Sequence, residues 1–174
     1  MMIEARLACV LVGMAVTAAA QVPEAVDPLA IPNYHVVKPG LATSAQPTPD
    51  GLRSLKTKGF KTVINLRMDS EPGVKEEEAA VKEQGLDYVS VPLSAATLTQ
   101  DKVDQVRRAL EDPKAGAVLL HCASANRAGA VWTVIEVQRG KSYEEALAAG
   151  QAIGLTSPPL IEAVDKLLGR TRKP

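Results

Sequence analysis

The stretch that decides the fold is AVLLHCASANRAG, residues 117–129. Its first four residues are apolar without interruption, which is typical of a strand buried on both faces. Small residues then break the pattern, and an apolar periodicity of helical type begins at Arg127. The stretch therefore predicts a buried strand, a short loop that starts at Cys122, and the first turn of a helix.

This order places the thiol of Cys122 on a loop that runs into a helix amino terminus. Backbone N–H groups without helical partners and the positive end of the helix dipole make such a loop a place for an anion. The same field favours the thiolate, which is the nucleophilic form of cysteine. Arg127, five positions later, offers a planar fork of donors to a tetrahedral oxyanion. We therefore expect covalent catalysis on phosphate or a sulfur oxyanion; a buried structural cysteine is the alternative.

Outward from this stretch, short apolar runs alternate with helical patterns. Strands are expected at residues 34–37, 41–43, 62–66, 88–91 and 117–120. Helices are expected at residues 48–58, 74–84, 100–110, 127–139, from the Ser142–Glu145 capping box onward, and at 157–168. This alternation predicts an α/β fold with a mainly parallel central sheet flanked by helices. The ligand crevice should lie outside the carboxyl ends of the strands, where Cys122 lies.

The composition indicates one globular domain behind an export signal. The chain has 174 residues, of which 46% are hydrophobic, with 20 acidic and 20 basic side chains. Zero net charge and 3% aromatic residues disfavour a nucleic-acid partner. An apolar run followed by three alanines predicts a signal peptide over residues 1–20; an uncleaved anchor is the alternative. The mature protein is expected to be exported and periplasmic, without stable membrane association, with an irregular tether at 21–32 and a folded domain at 33–170.

Cys122 is the only cysteine of the predicted mature chain, because Cys9 lies in the signal peptide. A leftover cysteine in an exported protein suggests an intermolecular bridge or a free reactive thiol. With no second thiol and no histidine cluster, neither a metal nor a cofactor is expected. The only histidines are His35 and His121. On a strand His121 points to the opposite face from Cys122, so we expect it to pack or hydrogen-bond rather than act as a base.

Three motifs in order resemble one known family. They are residues 34–48, which end in TSAQPT, residues 59–67 (GFKTVINLR) and residues 121–129 (HCASANRAG). Together they resemble the phosphatase-like domain of the beta-lactamase-hydrolase-like family, a bacterial group related to dual-specificity and tyrosine phosphatases. The resemblance implies a cysteine-phosphatase fold and a phosphorylated protein or small molecule as substrate. It implies Cys122 as the phosphate-accepting nucleophile, Arg127 as the clamp, and the amides of Ala123, Ser124, Ala125, Asn126 and Arg127 as the phosphate cradle.

The loop departs from the pattern of most cysteine phosphatases in three ways. Four residues separate Cys122 from Arg127 where five are usual, a spacing shared with rhodanese-type sulfurtransferases. Ala125 stands where this group usually has glycine, so a left-handed backbone there would be strained. Ala128 stands where a serine or threonine often stabilises the leaving thiolate. A sulfurtransferase with a persulfide on Cys122 and an inactive anion-binding module are therefore the alternatives to a phosphomonoester hydrolase.

The sequence offers several candidates for the general acid and for the outer contacts of the site. The candidate acids are Asp69, Glu71 and Asp101. We prefer Asp69, although each is more simply a solvated residue. Arg67 is either a second anion contact or an exposed arginine, and Gln46 could reach the same crevice. The run Glu76-Glu77-Glu78 is interpreted as a solvated helix face.

Overall fold

The structure is a computed structural model that describes residues 20–27 and 30–170. Apart from Ala20, the predicted signal peptide lies outside the described residues. The strands are β1 (His35–Lys38), β2 (Leu41–Ser44), β3 (Thr62–Asn65), β4 (Asp87–Ser90) and β5 (Val118–His121). The helices are α1 (Pro49–Arg53), α2 (Val74–Glu83), α3 (Gln100–Glu111), α4 (Asn126–Gln138), α5 (Tyr143–Ala152) and α6 (Pro158–Leu167). A short 3₁₀ turn, Ala95–Thr97, lies between β4 and α3. Nowhere in the described ranges is a helix long and apolar enough to cross a membrane.

The five strands form one sheet in the order β1-β2-β5-β3-β4. β1 pairs with β2 in antiparallel fashion and the other three pairs are parallel, which confirms the predicted mainly parallel sheet. Ser44, His121 and Asn65 lie side by side at the ends of β2, β5 and β3. The carboxyl ends of these strands therefore meet at one edge, and Cys122 leaves that edge from the central strand.

Two apolar clusters cover the two faces of the sheet. All four residues of β5 are buried, as the uninterrupted apolar run predicts. Because side chains alternate along a strand, Leu120 packs into a cluster with α3, α4 and α6, whereas Leu119 packs into a cluster with α1 and α2. β5 is therefore held from both sides, which fixes the position of the loop that follows it.

The first helix is much shorter than predicted. α1 ends at Arg53, whereas the pattern predicted a helix to residue 58. The hydroxyl groups of Ser54 and Thr57 donate to the carbonyls three residues before them, at 2.7 and 2.8 Å. Such bonds compete with the helical ladder. Leu55 is nevertheless fully buried, so a turn satisfies the apolar spacing that suggested the helix.

The segment before β1 is irregular, as predicted, but it packs against the domain. Ile31 is fully buried. The carbonyls of Pro32 and Ala30 accept hydrogen bonds from the backbone N–H groups of Ala45 and Thr48, at 2.9 and 2.8 Å. Residues 30–32 of this segment therefore brace the connection between β2 and α1.

Candidate active site

The loop after β5 has the local structure of an anion cradle. Ala125 is the N-cap of α4, a helix of 13 residues. In the described part of the chain, the backbone N–H groups of Ser124, Asn126 and Arg127 donate no hydrogen bond to the protein. Unpaired N–H groups at a helix amino terminus bind anions well, because their partial positive charges add to the helix dipole. The predicted strand, loop and helix are all present.

Ala125 adopts the left-handed backbone that the sequence predicted to be strained, with φ 69° and ψ −11°. This conformation costs an alanine roughly 1–2 kcal/mol. Its methyl group is buried and faces Gly154, since a Cβ built on Gly154 would lie 2.8 Å from the Cβ of Ala125. Gly154, between α5 and α6, therefore leaves room for the methyl group of Ala125.

Asn126 ties the cradle to the connection between α5 and α6. Its Oδ1 accepts hydrogen bonds from the backbone N–H groups of Thr156 and Ser157, both at 2.7 Å. The side chain of Asn126 is thus used to fix a neighbouring loop. Its backbone N–H donates no hydrogen bond to the described protein and is the group left for an anion.

Cys122 and Arg127 meet at this loop. Cys122 is fully buried and is itself a member of the apolar cluster that includes α4. The Arg127 side chain is only 14% exposed, so it is not turned out to solvent. Burial acts to lower the pKa of Arg127, but the contacts with Glu71 and Cys122 outweigh burial and raise it above its usual value. The arginine beside the thiol is therefore a permanent cation.

Glu71 holds this arginine in a two-point ion pair. Nη1 of Arg127 lies 2.5 Å from Oε1 of Glu71, and Nη2 lies 2.9 Å from Oε2. Nη1 also donates to the carbonyl of Leu93 at 3.2 Å. These three bonds leave the Nε–H and one hydrogen of Nη2, which lie on one edge of the guanidinium group. That edge is the part of Arg127 left for the sulfur of Cys122 or for two oxygens of a bound anion.

The same pair removes Glu71 from the candidate general acids. The hydrogen bond from Arg127 lowers the pKa of Glu71 from 4.5 to about 2, so this carboxyl is ionised at neutral pH. Asp69 is exposed on the same connection between β3 and α2. Asp101 is exposed in the first turn of α3, where it accepts a hydrogen bond from Gln105 at 2.7 Å. Asp69 stays the predicted acid.

Glu77 is buried, so the prediction of a solvated acidic run is wrong at its central residue. The side chain is 1% exposed. Its Oε2 accepts hydrogen bonds from Gln46 at 2.8 Å and from Arg67 at 3.3 Å, and its Oε1 lies 2.7 Å from Nε2 of His121. Burial acts to raise the pKa of Glu77, but His121, Gln46 and Arg67 together outweigh it and lower the pKa. His121 thus makes a buried polar contact, as its place on the strand predicts.

A signal for this burial was present in the sequence. Glu77 follows Val74 by three residues and precedes Val81 by four, which is the spacing of one helix face. Val74, Glu77 and Val81 are the three buried residues of α2. A carboxyl on an apolar helix stripe indicates a buried partner, because a lone charge is costly to bury.

Arg67 joins the two carboxylates, and this differs from both predicted roles. It is neither exposed nor free to bind an anion, because its side chain is 7% exposed and contacts Glu77 and also Glu71, at 3.4 Å. The side chains of Arg127, Glu71, Arg67 and Glu77 therefore form a chain that alternates in sign and ends on His121, whose Nε2 lies 2.7 Å from Oε1 of Glu77. The two ends of this chain flank Cys122, so the network braces the cradle from behind.

Comparison with known families agrees with this geometry. The family described as Beta-lactamase hydrolase-like protein, phosphatase-like domain, matches residues 33–139. The chain belongs to this family. Beta-lactamase hydrolase-like protein from Xylella fastidiosa (strain Temecula1 / ATCC 700964) is 35% identical over 119 residues, which are 66% of this chain and 27% of that protein. The protein of that name from Agrobacterium fabrum is 30% identical over 105 residues, 58% and 24% of the two chains. The chain thus spans about a quarter of the length of these relatives.

Solved structures show the fold of this phosphatase-like domain. P. aeruginosa TpbA has a TM-score of 0.65 and 25% identity, and the match covers 91% of this chain and 94% of TpbA. Tk-PTP in its active form has a TM-score of 0.61 and 20% identity, covering 80% and 99%. A variant of TpbA has been solved in complex with pTyr, with a TM-score of 0.60 and 22% identity, covering 89% and 99%. The family is therefore that of a phosphatase-like domain and the fold is that of the cysteine phosphatases, and the resemblance seen in the three motifs is confirmed.

Proposed function

We propose that the protein hydrolyses phosphomonoesters through a phosphate bound covalently to Cys122. The observation that carries this proposal is the loop itself. It presents backbone N–H groups without acceptors in the described structure, it places Arg127 beside Cys122, and Glu71 aims the guanidinium group. The complex of a TpbA variant with pTyr supports a phosphorylated substrate for this fold. The substrate is a phosphorylated small molecule or a phosphoprotein. For a phosphoprotein, the enzyme has tyrosine or dual specificity.

The reaction proceeds in two displacements at phosphorus. The thiolate of Cys122 attacks, a sulfur–phosphorus bond forms, and the bond to the leaving oxygen breaks. The amides of residues 123–127 and the guanidinium group of Arg127 stabilise the negative charge on the other phosphate oxygens. Water then attacks phosphorus, the sulfur–phosphorus bond breaks, and inorganic phosphate and the thiolate are released.

Asp69 is the group we assign to protonation of the leaving oxygen. It lies two residues before Glu71, which is itself committed to Arg127 as a carboxylate. An acid matters most for a poor leaving group. Asp69→Asn should therefore slow the hydrolysis of an alkyl phosphate at least tenfold and change that of p-nitrophenyl phosphate less than threefold. Equal losses with the two substrates would remove Asp69 from this role.

A sulfurtransferase is the second candidate function. It is favoured by the four-residue spacing between Cys122 and Arg127 and by the pairing of Glu71 with Arg127, which withdraws one acid from the site. Transfer of sulfur from thiosulfate expels sulfite, a good leaving group that needs little acid assistance. The reduced protein should be incubated with p-nitrophenyl phosphate and, separately, with thiosulfate. We expect phosphate release that is lost in Cys122→Ser and severely reduced in Arg127→Ala. An added sulfur on Cys122 without phosphate release would favour the sulfurtransferase.

We also propose that the protein is exported to the periplasm, with cleavage after Ala20 and a folded domain over residues 33–170. The apolar run from Leu7 to Val16 and the three alanines that follow support this proposal. Amino-terminal sequencing of the protein from a periplasmic extract should begin at Gln21. Recovery of the uncleaved chain in the membrane fraction would instead support the anchor.

A further inference from the structure

Four segments surround the cradle, and each is tied to it by a contact. Gln46 N–H donates to the carbonyl of Ala123 at 3.3 Å. Glu71 and the carbonyl of Leu93 bind Arg127, and Thr156 N–H binds Asn126. We call these four segments, residues 45–48, 68–72, 93–97 and 154–157, the mouth. Any part of the substrate beyond its phosphate has to lie against the mouth.

The mouth contains no lysine, arginine or histidine. Its charged residues are Asp69, which is exposed, and Glu71, which is paired with Arg127. The remaining residues of the mouth are small, apolar or neutral, as are the loop residues 123–126. The mouth itself therefore has no cation that could bind a second anionic group of a substrate.

Four cations next to the mouth are already engaged in the described structure, whereas Lys75, three residues beyond the mouth segment 68–72, is exposed. Arg127 is paired with Glu71, and Arg67 lies buried between Glu71 and Glu77. Lys102 donates its ammonium hydrogen to the carbonyl of Pro92, next to the mouth. Arg53 of α1 pairs with Asp50. The site thus has one guanidinium edge and one set of amides, which suit a single phosphate group.

We infer that the substrate carries one phosphate group on a neutral or cationic body and that further phosphate or carboxylate groups near it are selected against. The inference rests on the proposed phosphatase function. A second anionic group would approach Asp69 and Glu71 and would lose water without gaining a partner, which disfavours binding. The repulsion acts through solvent, so it should weaken as salt is added.

The test compares phosphotyrosine peptides of equal length that differ only in flanking charge. One peptide has lysine on both sides of the phosphotyrosine, one has asparagine and one has glutamate. At an ionic strength of about 20 mM, kcat/KM should be at least fivefold higher for the lysine and asparagine peptides than for the glutamate peptide. At about 0.5 M salt this ratio should fall towards one, because the Debye length is then only a few ångströms. Inositol hexakisphosphate, at the same concentration as p-nitrophenyl phosphate, should inhibit the hydrolysis of p-nitrophenyl phosphate only weakly.

Added cations in the mouth should relax this selection. Ser70→Lys and Ala96→Lys each place a lysine at an exposed position of a different mouth segment. Each should raise kcat/KM for the glutamate peptide several-fold relative to that for the asparagine peptide. Ala148→Lys is the matched control, because it adds the same charge at an exposed position of α5, outside the mouth. It should leave the ratio between peptides unchanged.

The possible outcomes separate this inference from the function on which it rests. If the wild-type protein hydrolyses the glutamate peptide as well as or better than the lysine peptide, the substrate class is wrong while the phosphatase function stands. The same holds if inositol hexakisphosphate is a substrate or a strong inhibitor. If no aryl phosphate is hydrolysed in a Cys122-dependent way, the proposed function fails and the substrate class fails with it.

Discussion

Replacing Glu77 by alanine should destabilise the protein far more than replacing its neighbour Glu78. Glu77 is 1% exposed and is the shared partner of three groups. Its removal leaves the guanidinium group of Arg67, which is 7% exposed, without one of its two carboxylates. It also leaves the side-chain nitrogens of Gln46 and His121 without the oxygens that lie 2.8 and 2.7 Å away.

The size of the effect follows from these contacts. Removing one partner of a buried ion pair costs about 3–5 kcal/mol, because the other charge stays buried and uncompensated. Arg67 keeps Glu71 and the carbonyl of Pro72, so we expect a value near the lower end, about 3 kcal/mol. For a domain of this size that corresponds to a fall in Tm of roughly 6–12 °C.

Urea unfolding followed by circular dichroism measures this difference directly. Glu78→Ala is the control, because Glu78 lies on the same helix and pairs with Lys82 at 2.6 Å, but the two side chains are 43% and 60% exposed. Such a pair contributes at most about 1 kcal/mol. If the two variants unfold with free energies within about 1 kcal/mol of each other, the buried network does not stabilise the fold as we argue.

Three further predictions concern the loop and its ion pair. Glu71→Gln should lower kcat for p-nitrophenyl phosphate about tenfold, because a neutral amide holds Arg127 less firmly. Glu76→Gln, on the exposed face of α2, should change kcat less than twofold, and steady-state kinetics measure both variants. Ala125→Gly should change the free energy of unfolding by less than about 1 kcal/mol, because relief of the left-handed strain offsets the lost methyl burial and the greater freedom of unfolded glycine. Ala128→Gly, inside the right-handed helix, should lower the free energy of unfolding by about 2 kcal/mol in the same urea assay. Equal losses in the Ala125→Gly and Ala128→Gly variants would contradict the left-handed strain at Ala125. Because folding lowers the pKa of Glu71 from 4.5 to about 2, its ion pair stabilises the fold above pH 4.5 and is lost as pH falls towards 2. After allowance for solvent screening, this ion pair contributes on the order of 1–2 kcal/mol to the free energy of unfolding. Urea unfolding at pH 6 and pH 3 should show this contribution in the wild type but not in Glu71→Gln.

The parts of the fold that depend on neighbouring residues could be predicted from the sequence. The strand before Cys122 and the helix after it follow from an apolar run and a change of periodicity over 13 residues. Thr99 caps α3, and Ser142 with Glu145 forms the capping box that begins α5, both as predicted. In each case the interaction spans three or four residues, so the pattern contains both partners.

The contacts that define the site span much longer distances in the chain. Glu71 and Arg127 are 56 residues apart, and Gln46 and Glu77 are 31 apart. Which carboxyl meets which arginine depends on how connections from different strands pack at one sheet edge, and no local pattern contains that information. The predicted roles of Glu71 and Arg67 therefore changed, whereas the strained backbone at Ala125 was suggested by the resemblance of the loop to a known family.

A phosphate group on Cys122 during turnover is the central claim, and trapping it is the most direct measurement. The reduced protein should be mixed with an aryl phosphate, unfolded within seconds in denaturant, and digested with trypsin. The peptide of residues 115–127, which contains Cys122, should carry one added phosphate that disappears as inorganic phosphate accumulates. The same peptide from Cys122→Ser should release no phosphate and carry none on sulfur. Turnover of the aryl phosphate with an unmodified Cys122 throughout would contradict the account.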